Sequence, residues 1–168
     1  GYRILGYLEA ERGNPREALA QLLRALDLVR TLDSEVFEAD VLSTSGFYAA
    51  QCGELELAEE HCRAALAIQS ADSDDNGKAH TLHSLGFTLA AAGRYEEAVS
   101  MYERAIEIFH AQDNTHNGAT SLDRLGDTWR AAGQPDRARE CWRQAYELYQ
   151  ATERAESAAA VQAKLACN

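Results

Sequence analysis

The sequence predicts an all-α chain, a right-handed α-solenoid of four helix–turn–helix repeats closed by a C-terminal capping helix. Three observations predict it. Glycine recurs every forty residues, at Gly6, Gly46, Gly86 and Gly126, and a second glycine follows seven residues later at Gly13, Gly53, Gly93 and Gly133. Alanine keeps the same register, at Ala18, Ala58, Ala98 and Ala138 and again at Ala25, Ala65, Ala105 and Ala145. Between these marks, large apolar residues fall at helical spacing, so each period reads as two amphipathic helices. A period of this length is the signature of stacked supersecondary units.

The phase of the glycines places the repeats at about 1–32, 33–72, 73–112 and 113–152, with the capping helix at 153–166. In repeats one and four, Asn14-Pro15 and Gln134-Pro135 put proline in the first turn of the second helix, where its missing N–H is no loss. Repeat three is the clearest. Ala79 to Ala91 carries Leu82, Leu85 and Leu89, and Gly93 ends that helix in the left-handed conformation. Tyr95 to Phe109 follows, with Ala98, Tyr102, Ala105, Ile106 and Phe109 on one face. The turns between repeats are acidic: Asp33-Ser34, Asp72 to Asp75, and Asp113-Asn114-Thr115. They supply caps, and their charge suits the positive end of the helix that follows. In the capping helix, Ala158, Val161, Ala163 and Leu165 are expected to cover the face of repeat four.

The small residues have a mechanical reason. Gly6 and its equivalents mark where the second helix approaches the first, with Ala18 and its equivalents facing them. Ala25 and its equivalents admit the next repeat. Leu42, Leu82 and Leu122, together with Leu22, Tyr102 and Trp142, fill the space between.

Composition limits the function. The chain has 168 residues and a formal net charge of −11, with a pI near 4.8 and a mean hydropathy of −0.40. Nucleic-acid binding draws on cationic surface to release counterions, so direct binding of DNA or RNA is not expected. No apolar run reaches membrane-span length, and no targeting segment is visible. The chain begins with Gly inside a repeat, which reads as a piece of a longer protein. Four cysteines, Cys52, Cys62, Cys141 and Cys167, form no CxxC pair, and the expectation is reduced, buried thiols in a cytoplasmic protein.

The sequence contains no phosphate-binding loop, nucleophile elbow, HExxH helix or dinucleotide turn. His80 and His83 are three apart on one helix but lack further ligands for zinc. The acidic turns lack an EF-hand layout. No cofactor, metal or catalytic residue is expected, and the reading is a non-catalytic binding module.

Repeat three, with Leu82, Leu85-Gly86, Gly93, Ala98, Tyr102 and Ala105, resembles the tetratricopeptide repeat. So does repeat four, with Leu122, Leu125-Gly126, Gly133, Ala138, Trp142 and Ala145. The likeness covers nearly the whole chain. The common form is about 34 residues long, so the forty-residue period here lengthens either the helices or the turns. The resemblance implies that the first helices line a concave face that holds protein or peptide ligands.

One residue past each key glycine stand Tyr7, Phe47, Phe87 and Asp127; three before stand Arg3, Ser43, His83 and Asp123; six before stand Asp40, His80 and Thr120. Arg130 lies four after Gly126. With these residues the groove is expected to be aromatic toward its N-terminal end and charged toward its C-terminal end, with Phe47 and Phe87 either exposed or buried between repeats. The carboxylate clamp of chaperone-type repeats is absent, since its places carry Arg3, Tyr7, Thr44, His80 and Ser84.

The runs from Ala79 to Gly86 and from Thr120 to Asp127, and the ending Arg137 to Ala145 followed by an Ala-rich helix, are similar to the C-terminal repeats of bacterial transcription regulators of the SARP/AfsR type. In those proteins a DNA-binding domain and an NB-ARC-type NTPase module precede the repeats. That resemblance implies a sensor or interaction domain whose partner is a protein, a peptide or another domain of the same chain. A general scaffold or adaptor, including motor-cargo adaptors with forty-residue repeats, and a peptide-pheromone receptor remain as alternatives.

Overall fold

Asn14 and Pro15 begin the first described helix as the sequence requires: the Asn14 side chain accepts the Glu17 N–H at 3.3 Å, and proline takes the first helical position. The computed structural model describes residues 14–32, 34–71 and 75–167. Within them lie seven helices of 17 residues each. They are α1 (Pro15–Thr31), α2 (Glu35–Gln51), α3 (Leu55–Ala71), α4 (Asp75–Ala91), α5 (Tyr95–Ala111), α6 (Thr115–Ala131) and α7 (Pro135–Ala151). An eighth, α8 (Ala155–Ala166), has 12 residues. Three residues lie between each helix and the next, so the extra length over the common repeat lies in the helices.

Within the repeats and between them, the described turns share one design. The residue just past the C-cap is left-handed, and the next N–H reaches back to a carbonyl in the last helical turn. Glu54, Arg94, Asn114, Gln134 and Arg154 donate to Ala49, Leu89, Phe109, Trp129 and Tyr149 respectively, each at 2.9 Å. Inside the repeats that left-handed residue is Gly53, Gly93 or Gly133, with φ from 75° to 81°. Between repeats it is Asp113 or Glu153, with φ of 53° and 56°. The left-handed Glu153 also explains why α8 starts at Ala155 and not at 153. Asn114 caps α6 through its side chain, accepting from the Asn117 N–H at 3.3 Å.

The glycines at the described helix crossings face the residue sixteen positions on, which corrects the expectation that they face alanine at Gly86 and Gly126, while at Gly46 the expected Ala58 is met as well. A Cβ on Gly126 would lie 2.5 Å from Cδ1 and Nε1 of Trp142, and one on Gly86 would lie 3.1 Å from three ring carbons of Tyr102. At Gly46 the helices come closer still, and a Cβ would meet Cys62 Sγ at 2.6 Å and the Ala58 carbonyl oxygen at 3.1 Å. Ala58, Ala98 and Ala138 are fully buried beside these crossings, and so are Ala65, Ala105 and Ala145. Leu42, Leu82, Leu85 and Leu89 complete the core at 1% exposure or less.

Each helix packs on its sequence neighbours. In addition α2 packs directly on α4, and α4 touches α6, while the second helices α3, α5 and α7 make no comparable contact. Closer approach on one side bends the stack, so the first helices form its inner, concave side. The final helix buries Ala158 and Val161 against Trp142, Ala145 and Tyr149, and Leu165 packs on the same cluster. Ala163, expected in that contact, is exposed.

One core position breaks the pattern. Gln69 stands in the register of Phe109 and Tyr149 and is 3% exposed, yet among the described residues neither of its amide atoms has a hydrogen-bond partner. An orphaned buried amide costs about 1–3 kcal/mol, so Gln69→Leu is expected to raise stability by about 1 kcal/mol or more in urea unfolding.

The two kinds of glycine separate by experiment. Gly133 has open space around it, so Gly133→Ala is expected to cost only the left-handed backbone penalty, about 1–2 kcal/mol. Gly126→Ala drives a methyl into a fully buried indole and is expected to cost about 1–3 kcal/mol. Adding Trp142→Leu should bring back part of the Gly126→Ala loss, relative to Trp142→Leu alone, and none of the Gly133→Ala loss.

Candidate functional site

A polar helix face can line a groove only if its hydroxyls are satisfied where neighbouring helices meet. Here they bond back into their own helices or across to the next one. Thr44, Ser84, Thr120 and Thr128 donate to carbonyls four residues earlier, at 2.8 to 3.0 Å. From repeat to repeat, Thr81 Oγ1 donates to Ser43 Oγ at 2.8 Å, and His83 Nδ1 shares a 2.8 Å hydrogen bond with Ser121 Oγ. Thr81 and Ser121 are fully buried. Ser43 and His83, two of the anticipated groove residues, are thus engaged in joining adjacent first helices. The His83 ring also meets Tyr102 edge-on, with centroids 5.5 Å apart.

The aromatic residues divide between core and groove. Phe47 and Phe87 are each half-buried, with ring centroids 6.2 Å apart, and both pack on the apolar cores beneath them. They therefore form one continuous ledge between repeats two and three. Arg124 lies over the Phe87 ring, with Cζ 5.6 Å from the centroid. Next along the face, Lys164 from the capping helix reaches Asp123 Oδ1 at 2.7 Å and Asp127 Oδ2 at 2.8 Å. Arg130 sits 3.8 Å from Asp127 and over the Trp142 ring at 5.1 Å.

The other anticipated residues are placed as follows. Asp40 and Thr120 are half-buried on α2 and α6, and Tyr149 donates its hydroxyl to Thr120 at 3.2 Å. His80 is exposed, with its ring edge-on to Phe109 at 5.1 Å. Arg3 and Tyr7 lie outside the described residues. His80 and His83 thus meet different aromatic partners, and among the described residues no group of three or more His, Cys, Asp or Glu side chains is placed to hold a metal ion. Lys164, Arg124 and Thr81 complete the face without having been singled out by the spacing of the glycines. Lys164 had one legible mark: it is one of only two lysines in the chain.

The thiols depart in part from expectation. Cys62 is fully buried, Cys52 and Cys141 are half-buried, Cys167 is exposed, and all four are free. Burial pushes Cys62 up to about 12 and Cys141 up to about 11, which leaves both protonated and poorly nucleophilic.

The outer side is tied by charge. Arg94 of the turn before α5 bonds Glu59 of α3 at 2.7 Å and Glu97 at 2.6 Å, and Glu59 also accepts from Arg63. This network joins repeats two and three away from the groove. No helix among the described residues is long and apolar enough to cross a membrane.

Paired helices of equal length, glycine at each crossing and a concave first-helix face define the class of helical repeat solenoids. Within that class, two family models described as tetratricopeptide repeat match residues 37–111 and 119–153, and those stretches carry tetratricopeptide repeats. Solved structures share the fold. A Rap protein complexed with Competence and Sporulation Factor aligns with a TM-score of 0.87 at 14% identity, over 98% of this chain and 46% of that one. A putative kinesin light chain from Podosopora anserina aligns with a TM-score of 0.77 at 23% identity, over 98% of this chain and 82% of that one. BtubC (BKLC) from P. vanneervenii aligns with a TM-score of 0.73 at 18% identity, over 98% and 76%. The chain spans under half the length of the Rap protein it matches. No curated protein sequence matches it.

The buried histidines give the stack a defined acid response. Burial foremost, with Arg124 and His80 nearby, pulls His83 from 6.5 down to about 4. His61, hydrogen-bonded through Nδ1 to Ser45 Oγ at 2.7 Å, and His116 are also lowered, mainly by burial. Such groups are neutral when folded, and the unfolded chain takes up their protons first. For His83 the stability is whole above 6.5 and falls as pH drops from there toward about 4. His83→Gln, which keeps a partner for Ser121, is expected to flatten that fall by up to about 1.4 kcal/mol per pH unit. Urea titrations across the window measure it; an unchanged slope would place the acid sensitivity elsewhere.

Proposed function

We propose that the chain is a non-catalytic protein-interaction module that receives an extended segment of a partner along the concave face of its first helices. The carrying observation is the half-buried Phe47–Phe87 pair, an apolar ledge on an otherwise polar face. Apolar anchors of this kind, rimmed by polar groups, carry most of the energy in protein interfaces. The anticipated groove residues Asp40, His80, Thr120, Asp123, Asp127 and Arg130 form the rim. Arg3 and Tyr7 would extend it in repeat one.

The finer reading is the sensor or interaction domain of a multidomain bacterial transcription regulator, working in the cytoplasm, with DNA and nucleotide sites elsewhere in the protein. The runs around Gly86 and Gly126 support it. A second reading, a receptor for a small signalling factor, is favoured by the likeness to a Rap protein solved with such a factor bound. On either reading the partner is a protein, a peptide or another domain of the same chain, and the repeats act as one domain. Because each repeat touches mainly its neighbours, a partner spanning several first helices favours one curvature of the stack.

Truncating the ledge tests the proposal. With a partner isolated from the source cells and titrated against purified module, Phe47→Ala or Phe87→Ala is expected to lower affinity about tenfold or more, with helical circular dichroism retained. Undiminished affinity would sink the groove assignment, and loss of helicity in step with binding would assign the rings to the core alone.

A further inference from the structure

We propose that the occupant of the groove is an acidic and apolar segment: a side-chain carboxylate of the partner docks on Arg124 while a neighbouring apolar side chain lies on the Phe47–Phe87 ledge. This rests on the groove reading above and adds the chemistry of the partner.

Arg124 is exposed on α6, its guanidinium carbon 5.6 Å from the centre of the Phe87 ring. A guanidinium presents its N–H donors along an in-plane edge, and that edge matches a carboxylate in two-point geometry. Among the described residues no ion pair or side-chain hydrogen bond takes up the edge. The adjacent acids are already neutralised: Lys164 bridges Asp123 and Asp127 at 2.7 and 2.8 Å, and Arg130 approaches Asp127 at 3.8 Å. Three cations against two carboxylates leave this stretch of groove with surplus positive charge, in a chain whose net charge is −11. The surplus sits beside the ledge. The partner that complements both is therefore acidic next to apolar.

Position selects a side-chain carboxylate over a chain terminus. Arg124 lies mid-face, with the ledge before it and the Asp123–Asp127–Lys164 cluster beyond, so a bound segment continues past it. An extended segment advances about 3.3 Å per residue, which sets the acid one or two residues from the apolar anchor, given the 5.6 Å between guanidinium and ring.

The test is selection from a random peptide library, each peptide fused at its C-terminus to the carrier so that no free carboxyl end is offered to the whole chain. Enrichment of Asp or Glu one or two places from Phe, Trp, Leu or Ile is the expected result. For a recovered peptide, exchanging the acid for its amide should weaken binding about tenfold. Arg124→Gln should weaken the acidic peptide by the same factor and leave the amide peptide unchanged, with Arg124→Lys recovering part. Thermal unfolding checks that these surface variants fold as the native chain does. An acid preference that survives Arg124→Gln, apolar peptides without acid preference, or enrichment of Lys and Arg would overturn this assignment while leaving the groove reading standing. If nothing is enriched, or the recovered peptides ignore Phe47→Ala and Phe87→Ala, the groove reading falls and this inference with it.

Discussion

Where the two helices of each described pair cross, at Gly46, Gly86 and Gly126, there is no space for a Cβ, and the rest of the architecture follows from that. Gly126 lets the Trp142 indole lie flat on the backbone of α6, Gly86 does the same for Tyr102, and Gly46 brings α3 near enough for its backbone to touch. The large ring or the close backbone approach excludes water from the crossing, and the flanking alanines keep the pair from being levered apart. Since interiors are packed to near-crystalline density, an added methyl there has no void to enter. A pair set at one spacing presents the next pair with a matching surface, and the stack propagates.

The first helices pack on one another through unusually polar contacts. Ser43 with Thr81, and His83 with Ser121, are buried hydroxyl and imidazole groups where a bundle would place leucines. Each is satisfied, so the desolvation penalty is offset, but the joints gain less than apolar ones would and they are directional. On the outer side, repeats two and three are instead tied by the Glu59–Arg94–Glu97 network. Between repeats two and three, the concave side is therefore held by a short hydrogen bond and the convex side by charge. A ligand gripping the inner face acts on the geometrically stricter of the two.

That inner face combines an apolar ledge, a guanidinium over the Phe87 ring and a carboxylate pair bridged by the capping helix. Lys164 gives the cap a dual part. It secures α8 to α6 and also neutralises acids that would otherwise repel an acidic partner. Such a surface is suited to recognition.

Much of this was legible in one dimension. The forty-residue phase located the helix pairs, the prolines marked helix starts, and Gly53, Gly93 and Gly133 marked their ends, because left-handed backbone and crowded crossings admit few residue types. The turns between repeats were less legible, since Asp113 and Glu153 adopt the same left-handed geometry without glycine. Nor did spacing separate Ser43 and His83, which join helices, from Phe47 and Phe87, which form the ledge, although all four lie on one face. Sequence by itself determined the repeat, its phase and the glycine at each described crossing, for these depend on contacts within one pair. Only the tertiary structure decided which groove residues meet each other. The links from Phe87 to Arg124 and from Asp127 to Lys164 join successive repeats, and they depend on how far the stack bends.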